Sequence, residues 1–209
     1  MTRLILARHG NTFEPGETPV WVGANEDLPL ARKGLEQAQA LGRALCDADA
    51  RPAHIISGPL KRTRRAAEIV QSLTETGGTI EIDERLKEID YGSWGGRSDD
   101  EITASWGEVA ITNWREKNIR PEGADWSPAE CEIESHVDAV LGDALKRDGV
   151  VLIVTSNGIL RYFHKAMGFQ GDAKVKTGHV CGAQIVETGL EPLFWNHDPV
   201  AGLPPMAKP

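Results

Sequence analysis

Leu4 to Ala7 form an unbroken apolar run that ends on Arg8-His9-Gly10, and Val150 to Val154 form a second that ends on Thr155-Ser156-Asn157-Gly158. Short runs without polar alternation read as parallel strands buried on both faces. Between them, Leu35, Ala38, Leu41 and Leu45 recur at helical spacing, which predicts an amphipathic helix over 32–48. His54 to Ser57 reads as a short strand stopped by Gly58-Pro59, and Leu60 to Leu73 as a second helix. Gly77-Gly78 then breaks the chain before Thr79 to Ile82, which alternates as a strand does. The order so far is β-α-β-α-β.

From Arg97 to about Asp125 the pattern is irregular, with Trp106 and Trp114 inside it and Trp94 and Trp126 at its margins. It is expected to be an insertion over the sheet, a lid at 97–126, and not part of the core. Ser127-Pro128-Ala129-Glu130 carries the signature of a helix start, with an N-cap serine, proline at the first helical position and glutamate three residues on. The helix is expected to run to about Arg147. After the second strand a helix continues to about Met167, residues 180–187 and 190–195 form a hairpin around Gly189, and the tail with Pro204 and Pro205 is expected to be loose. Strands alternating with helices imply an α/β fold with a mostly parallel sheet covered on both faces, built as one domain over 1–209.

Composition narrows the class. With 40% hydrophobic and 26% charged residues and no apolar run near the ~20 residues of a membrane span, the chain reads as an ordinary globular protein with no membrane partner. A net charge of −8 disfavours a broad nucleic-acid footprint, because such binding needs clustered Lys and Arg, but it allows one local basic pocket for a small anion. Cys46, Cys131 and Cys181 are odd in number and far apart, which points to reduced, structural thiols and to neither a disulfide framework nor a zinc site. The N-terminus enters a strand directly, without the basic, apolar and small-residue regions of a secretory signal, so a cytoplasmic location is expected. Oligomeric state leaves no mark on the sequence.

The chemistry concentrates where the first strand ends. Ligands of open α/β sheets collect at the carboxyl ends of the strands, and there the chain delivers a cation, an imidazole and a flexible backbone as Arg8-His9-Gly10. The one dense basic run, Lys61-Arg62-Thr63-Arg64-Arg65, follows the second strand. The other histidines, His54, His136, His164 and His197, lack partners at metal-ligand spacing.

Arg8-His9-Gly10-Asn11-Thr12 resembles the phosphate-binding signature of the histidine phosphatase superfamily, which includes phosphoglycerate mutases and many small phosphomonoesterases. Ser57 to Glu68 is similar to that family's second motif, and Arg85 to Gly96 to the segment in which a glutamate precedes a glycine and a tryptophan. The resemblance implies a three-layer α/β/α sandwich like that of phosphoglycerate mutase. It also implies a metal-independent phosphatase that needs no cofactor and hydrolyses a small phosphorylated metabolite through a phosphohistidine. His9 would be the nucleophile, Glu88 the general acid, and Arg8, Asn11 and Arg62 phosphate ligands.

Two segments depart from the family pattern. Ser156 stands where relatives carry a second histidine, and a serine is shorter and uncharged; losing one donor to developing charge costs about 10²- to 10³-fold in rate. Ser156 itself, Asn157 from the same turn, or His179 from the next loop are the candidate replacements. Pro15 stands where relatives often carry a phosphate-binding asparagine, and Phe13 to Asp27 is long and rich in Pro and Gly, so Asn11, Trp21 or Asn25 would shape the pocket differently. Two readings therefore stand side by side: an active phosphatase, and a catalytically impaired pseudophosphatase that binds a phosphorylated or carboxylate ligand. A mutase is less expected, because returning a phosphoryl group needs a site closed to water. Specificity should reside in 13–27 and 97–126.

Overall fold

The two apolar runs lie side by side at the centre of a six-stranded sheet. The computed structural model describes residues 2–186 and 189–206. In chain order the elements are β1 (Arg3–Arg8), α1 (Arg32–Asp47), β2 (His54–Ser57), α2 (Lys61–Thr74), β3 (Glu81–Ile82), α3 (Asp99–Trp106), α4 (Glu108–Lys117), α5 (Glu130–Ala144), β4 (Val150–Thr155), α6 (Asn157–Ala166), β5 (Val180–Val186) and β6 (Gly189–His197). The strand order is β3-β2-β4-β1-β5-β6. The first four strands run parallel, and β5 and β6 add an antiparallel edge.

Alternation of side chains across the pleat divides the core into two layers. Leu4, Leu6, Val151 and Ile153 face α5 and α6, whereas Ile5, Ala7, Leu152 and Val154 face α1 and α2. Each of these eight side chains is at most 1% exposed, which is why both runs are apolar at every position. Register pairs Arg8 with Thr155, so both strands deliver their next residues, His9 and Ser156, at the same end of the sheet.

Three expectations need correction. The helix after residue 126 begins at Glu130, with Ala129 and not Ser127 at its N-cap. Ser127 is taken by the backbone of Asp90, with which it exchanges both N–H···O bonds at 2.8 and 3.0 Å, so it serves as an isolated bridge instead of a cap. The irregular stretch from 97 holds two helices, α3 and α4. Ser98 and Glu101 form a capping box at the start of α3, and Gly107, at φ +78°, turns the chain between them. Trp94, Trp114 and Trp126 do not ride over the core but belong to it, at 0%, 2% and 6% exposure. Edge-to-face contacts at 5.0 and 5.1 Å lock Trp126 to Trp114 and Trp94, which is the preferred geometry for aromatic quadrupoles. As far as Met206 the tail is also tied down: Leu203 and Met206 pack on the α1 side of the core. Of the expected hairpin, positions 187 and 188 lie outside the described residues.

The turn after β1 is fixed by backbone against backbone. A Cβ on Gly10 would stand 2.5 Å from the carbonyl oxygen of Gly34 in the first turn of α1, and one on Gly34 would collide with the carbonyl oxygen of Asn11. Replacing Gly34 by Ala is expected to destabilise the fold by about 2–3 kcal/mol, the scale of overpacking. Denaturant unfolding of Gly34→Ala against the unmodified protein checks this, and an unchanged midpoint would show that the contact can relax.

Candidate active site

Arg8, His9 and Asn11 leave β1 into the floor of a cavity of about 700 Å³. The backbone N–H of His9 donates to Thr155 O at 3.1 Å, and that of Arg8 to His179 O at 3.0 Å, so the turn is held by both neighbours of β1. The His9 imidazole is 7% exposed. Its Nδ1 lies 2.8 Å from Gly10 O, which requires the proton there and leaves Nε2 with a free lone pair. That lone pair accepts from Arg62 Nε at 3.2 Å.

Arg62 enters from the first turn of α2 and is completely buried. Nη1 donates to Glu26 O at 2.9 Å and Nη2 to Gly23 O at 3.0 Å; Arg62 does not itself line the cavity but lies behind His9, which does. Arg8 is anchored by Nη1 to Val175 O at 2.6 Å. Burial pushes its guanidinium down to about 10, against the pull of Glu88, so it remains a cation at neutral pH. For His9, burial and then the charges of Arg62 and Arg8 hold the imidazole well below its ordinary value. A neutral imidazole whose Nε2 lone pair is held against one guanidinium and near the charge of a second has the chemistry a nucleophile toward an anion needs.

Glu88 follows the turn after β3 and is 6% exposed. Oε1 accepts from Ile89 N at 2.9 Å and Oε2 from Gly158 N at 3.2 Å, at the start of α6. Burial raises its carboxyl above the usual range, outweighing Arg62, the two backbone N–H donors and Arg8. The carboxyl lines the same cavity as His9 and Arg8, as a proton donor to a leaving group would.

The last motif behaves differently from its neighbours. Ser156 is the N-cap residue of α6, but its Oγ makes no capping bond; it is fully buried, without a polar partner among the described residues, and does not line the cavity. Asn157 does line it, with Oδ1 accepting from Val175 N at 2.9 Å. His179 stays out: its Nδ1 pairs with Asn196 O at 3.0 Å across the β5–β6 edge. Asn11 reaches the cavity with Oδ1 held by Thr177 Oγ1 at 2.5 Å.

Segments 13–27 and 97–126 build the mouth, and they grip each other. Trp21 N donates to Arg97 O at 2.9 Å and Gly96 N to Trp21 O at 2.8 Å. Trp21 Nε1 donates to Asp99 Oδ1 at 2.9 Å, and Arg115 clamps the same carboxylate at 2.7 and 2.8 Å. Asn25 is turned away, donating to Asp90 at 2.8 Å. Tyr91, Arg161 and Lys174 also line the cavity without having been singled out by their motifs. For Arg161 a signal existed: it follows Asn157 by four residues, which puts both on one face of α6. It donates to the carbonyls of Trp114 and Arg115 at 3.0 and 3.1 Å and so caps the last turn of α4.

A sequence model of the histidine phosphatase superfamily (branch 1) matches residues 4–192. A Salmonella arizonae protein named "Probable phosphoglycerate mutase GpmB" is 31% identical over 163 residues, covering 76% of this chain and 71% of that protein. Among solved structures, a mycobacterial glucosyl-3-phosphoglycerate phosphatase superposes with a TM-score of 0.77 at 18% identity, over 94% of this chain and 99% of that one. Bacillus stearothermophilus YhfR gives 0.72 at 26% identity, over 94% and 98%.

The neutral state of His9 links stability to pH. Because the folded imidazole titrates below its ordinary value, the unfolded chain binds a proton that the folded chain refuses, and the His9 contribution is present above pH ~6.5 and lost as pH falls through the folded value. Between pH 7 and pH 5 the unfolding free energy should therefore fall less steeply in His9→Asn than in the unmodified protein. Equal slopes would mean that His9 titrates normally.

Proposed function

The chain belongs to the histidine phosphatase superfamily, and from that premise we propose that it hydrolyses a phosphomonoester through a phosphohistidine at His9. The observation that carries the reading is the His9 Nε2 lone pair held against Arg62, with Arg8 and a buried Glu88, whose carboxyl is raised above its usual range, on the same cavity as His9. As substrate enters, the Arg62 Nε–H moves from His9 to a phosphoryl oxygen. Nε2 then bonds to phosphorus as the bond to the leaving oxygen breaks, and Glu88 gives that oxygen its proton. In the second half the Glu88 carboxylate takes a proton from water, whose oxygen displaces His9 and releases inorganic phosphate. Arg8 and Arg62 offset the charge on the equatorial oxygens throughout.

A cavity of about 700 Å³ falls within the range of sites that enclose whole small molecules, which supports a phosphorylated metabolite whose organic part fills the space between 13–27 and 97–126. The names of the relatives, a phosphoglycerate mutase and a glucosyl-3-phosphoglycerate phosphatase, support the same class. Hydrolysis is favoured over mutase chemistry because the rim residues Thr18, Asp100, Arg115 and Lys174 are exposed, leaving a way in for water.

Steady-state hydrolysis of an aryl phosphate should be readily measured for the unmodified protein and fall below about one thousandth of that rate in His9→Ala. Turnover in neither protein would leave the pocket a binding module. Glu88→Gln should retain most activity on an aryl phosphate with an acidic phenol leaving group and lose about 10²- to 10⁴-fold on an alkyl phosphate, which must be protonated to leave. Equal losses on both substrates would remove Glu88 from the role of acid.

A further inference from the structure

Tyr91 borders the reacting groups but has no place in the steps above. Its side chain lines the cavity while the residue is only 5% exposed, and among the described residues its hydroxyl makes no hydrogen bond. A buried tyrosine hydroxyl ordinarily finds a partner, so a free one on a cavity wall is a donor waiting for a ligand. The hydroxyl oxygen lies 2.8 Å from the point where a Cβ on Gly158 would stand, and Glu88 Oε1 crowds the same point. It therefore sits beside the general acid, at the first turn of α6.

The ring cannot wander. It meets Trp126 edge-on at 4.9 Å, Trp21 at 5.2 Å and Trp114 at 6.3 Å; the backbone before it is fixed by the Asp90–Ser127 bridge and by Ala24 N donating to Ile89 O at 3.0 Å, and its own carbonyl accepts from Trp94 N at 2.9 Å. A donor fixed before the reaction needs no reorganisation when charge develops. The neighbouring turn does not compete for the role with Ser156, whose hydroxyl is sealed off from the cavity.

We propose that Tyr91 is a further catalytic residue, whose hydroxyl donates a hydrogen bond to an oxygen of the reacting phosphoryl group next to Glu88. The proton stays on tyrosine throughout, and Glu88 alone transfers one. Burial, reinforced by the charge of Glu88, holds the phenol well above its ordinary value, which keeps it a donor. The assignment rests on the phosphohistidine reading, since it is that pocket which brings the phosphoryl group to this wall.

Tyr91→Phe keeps the ring and its three aromatic contacts and deletes only the hydroxyl. Two measurements on the full chain separate this proposal from the one it rests on: kcat/KM for an aryl phosphate, and calorimetric titration with orthovanadate, which mimics the five-coordinate phosphorus, beside inorganic phosphate. The expected result is a kcat/KM about 10²- to 10³-fold lower, the scale for one lost donor. Vanadate affinity should fall more than phosphate affinity, with an unchanged melting temperature. Unchanged kcat/KM and vanadate affinity would overturn the assignment, as would equal weakening of both anions with a lowered melting temperature, which marks a packing role. If the unmodified protein turns nothing over, the hydrolytic reading fails by itself. The vanadate-to-phosphate comparison then still decides for or against Tyr91.

Discussion

One contact governs the rest of this molecule: a guanidinium held against an imidazole lone pair in a buried place. Arg62 can occupy that position only because two loop carbonyls, Gly23 O and Glu26 O, take up its terminal nitrogens. Burying such a cation without partners would cost several kcal/mol. In turn Arg62, with burial and Arg8, keeps His9 unprotonated, and His9 commits its one proton to Gly10 O. Beside these two cations stands one carboxyl, Glu88, which burial raises above its usual range. In the proposed reaction a phosphoryl group is the anion that these cations receive.

The same loop connects the floor to the mouth. Gly23 and Glu26 belong to the segment that also presents Trp21, and Trp21 hands its indole N–H to Asp99 in α3. From there Arg115 and Arg161 lead back through α4 to α6, whose first turn donates Gly158 N–H to Glu88. Cation, acid and rim therefore belong to one connected set of hydrogen bonds, and the aromatic cluster of Trp21, Tyr91, Trp114 and Trp126 fills the space inside it.

Much of this was legible in the sequence where the signal is local. The two apolar runs announce β1 and β4 because each strand is covered on both faces, and Arg8-His9-Gly10 announces the turn because it follows directly. Arg62 and Glu88 are found through their motifs. What was not legible is decided by distant partners. Ser127 looks like a helix cap, but Asp90 claims its backbone. The tryptophans of 94–126 look like an insertion because their polar surroundings mask that they pack on one another. His179 is drawn away by the Asn196 carbonyl, and Tyr91 reads as one more aromatic until it is found on the cavity wall with its hydroxyl beside Glu88. Nothing in residues 151–161 alone says that Ser156 is shut behind the wall while its neighbour Asn157 is open to it.

The grip between the two mouth segments has a consequence for how such a pocket can be altered. Trp21, Asp99 and Arg115 satisfy one another across segments that lie some eighty residues apart in the chain. Grafting a foreign 13–27 loop onto this scaffold would leave the Asp99 carboxylate to Arg115 alone, and grafting a foreign 97–126 would strand an indole N–H. The two therefore form a single exchangeable cassette, to be transplanted together and only with carbonyls kept where Gly23 O and Glu26 O hold Arg62.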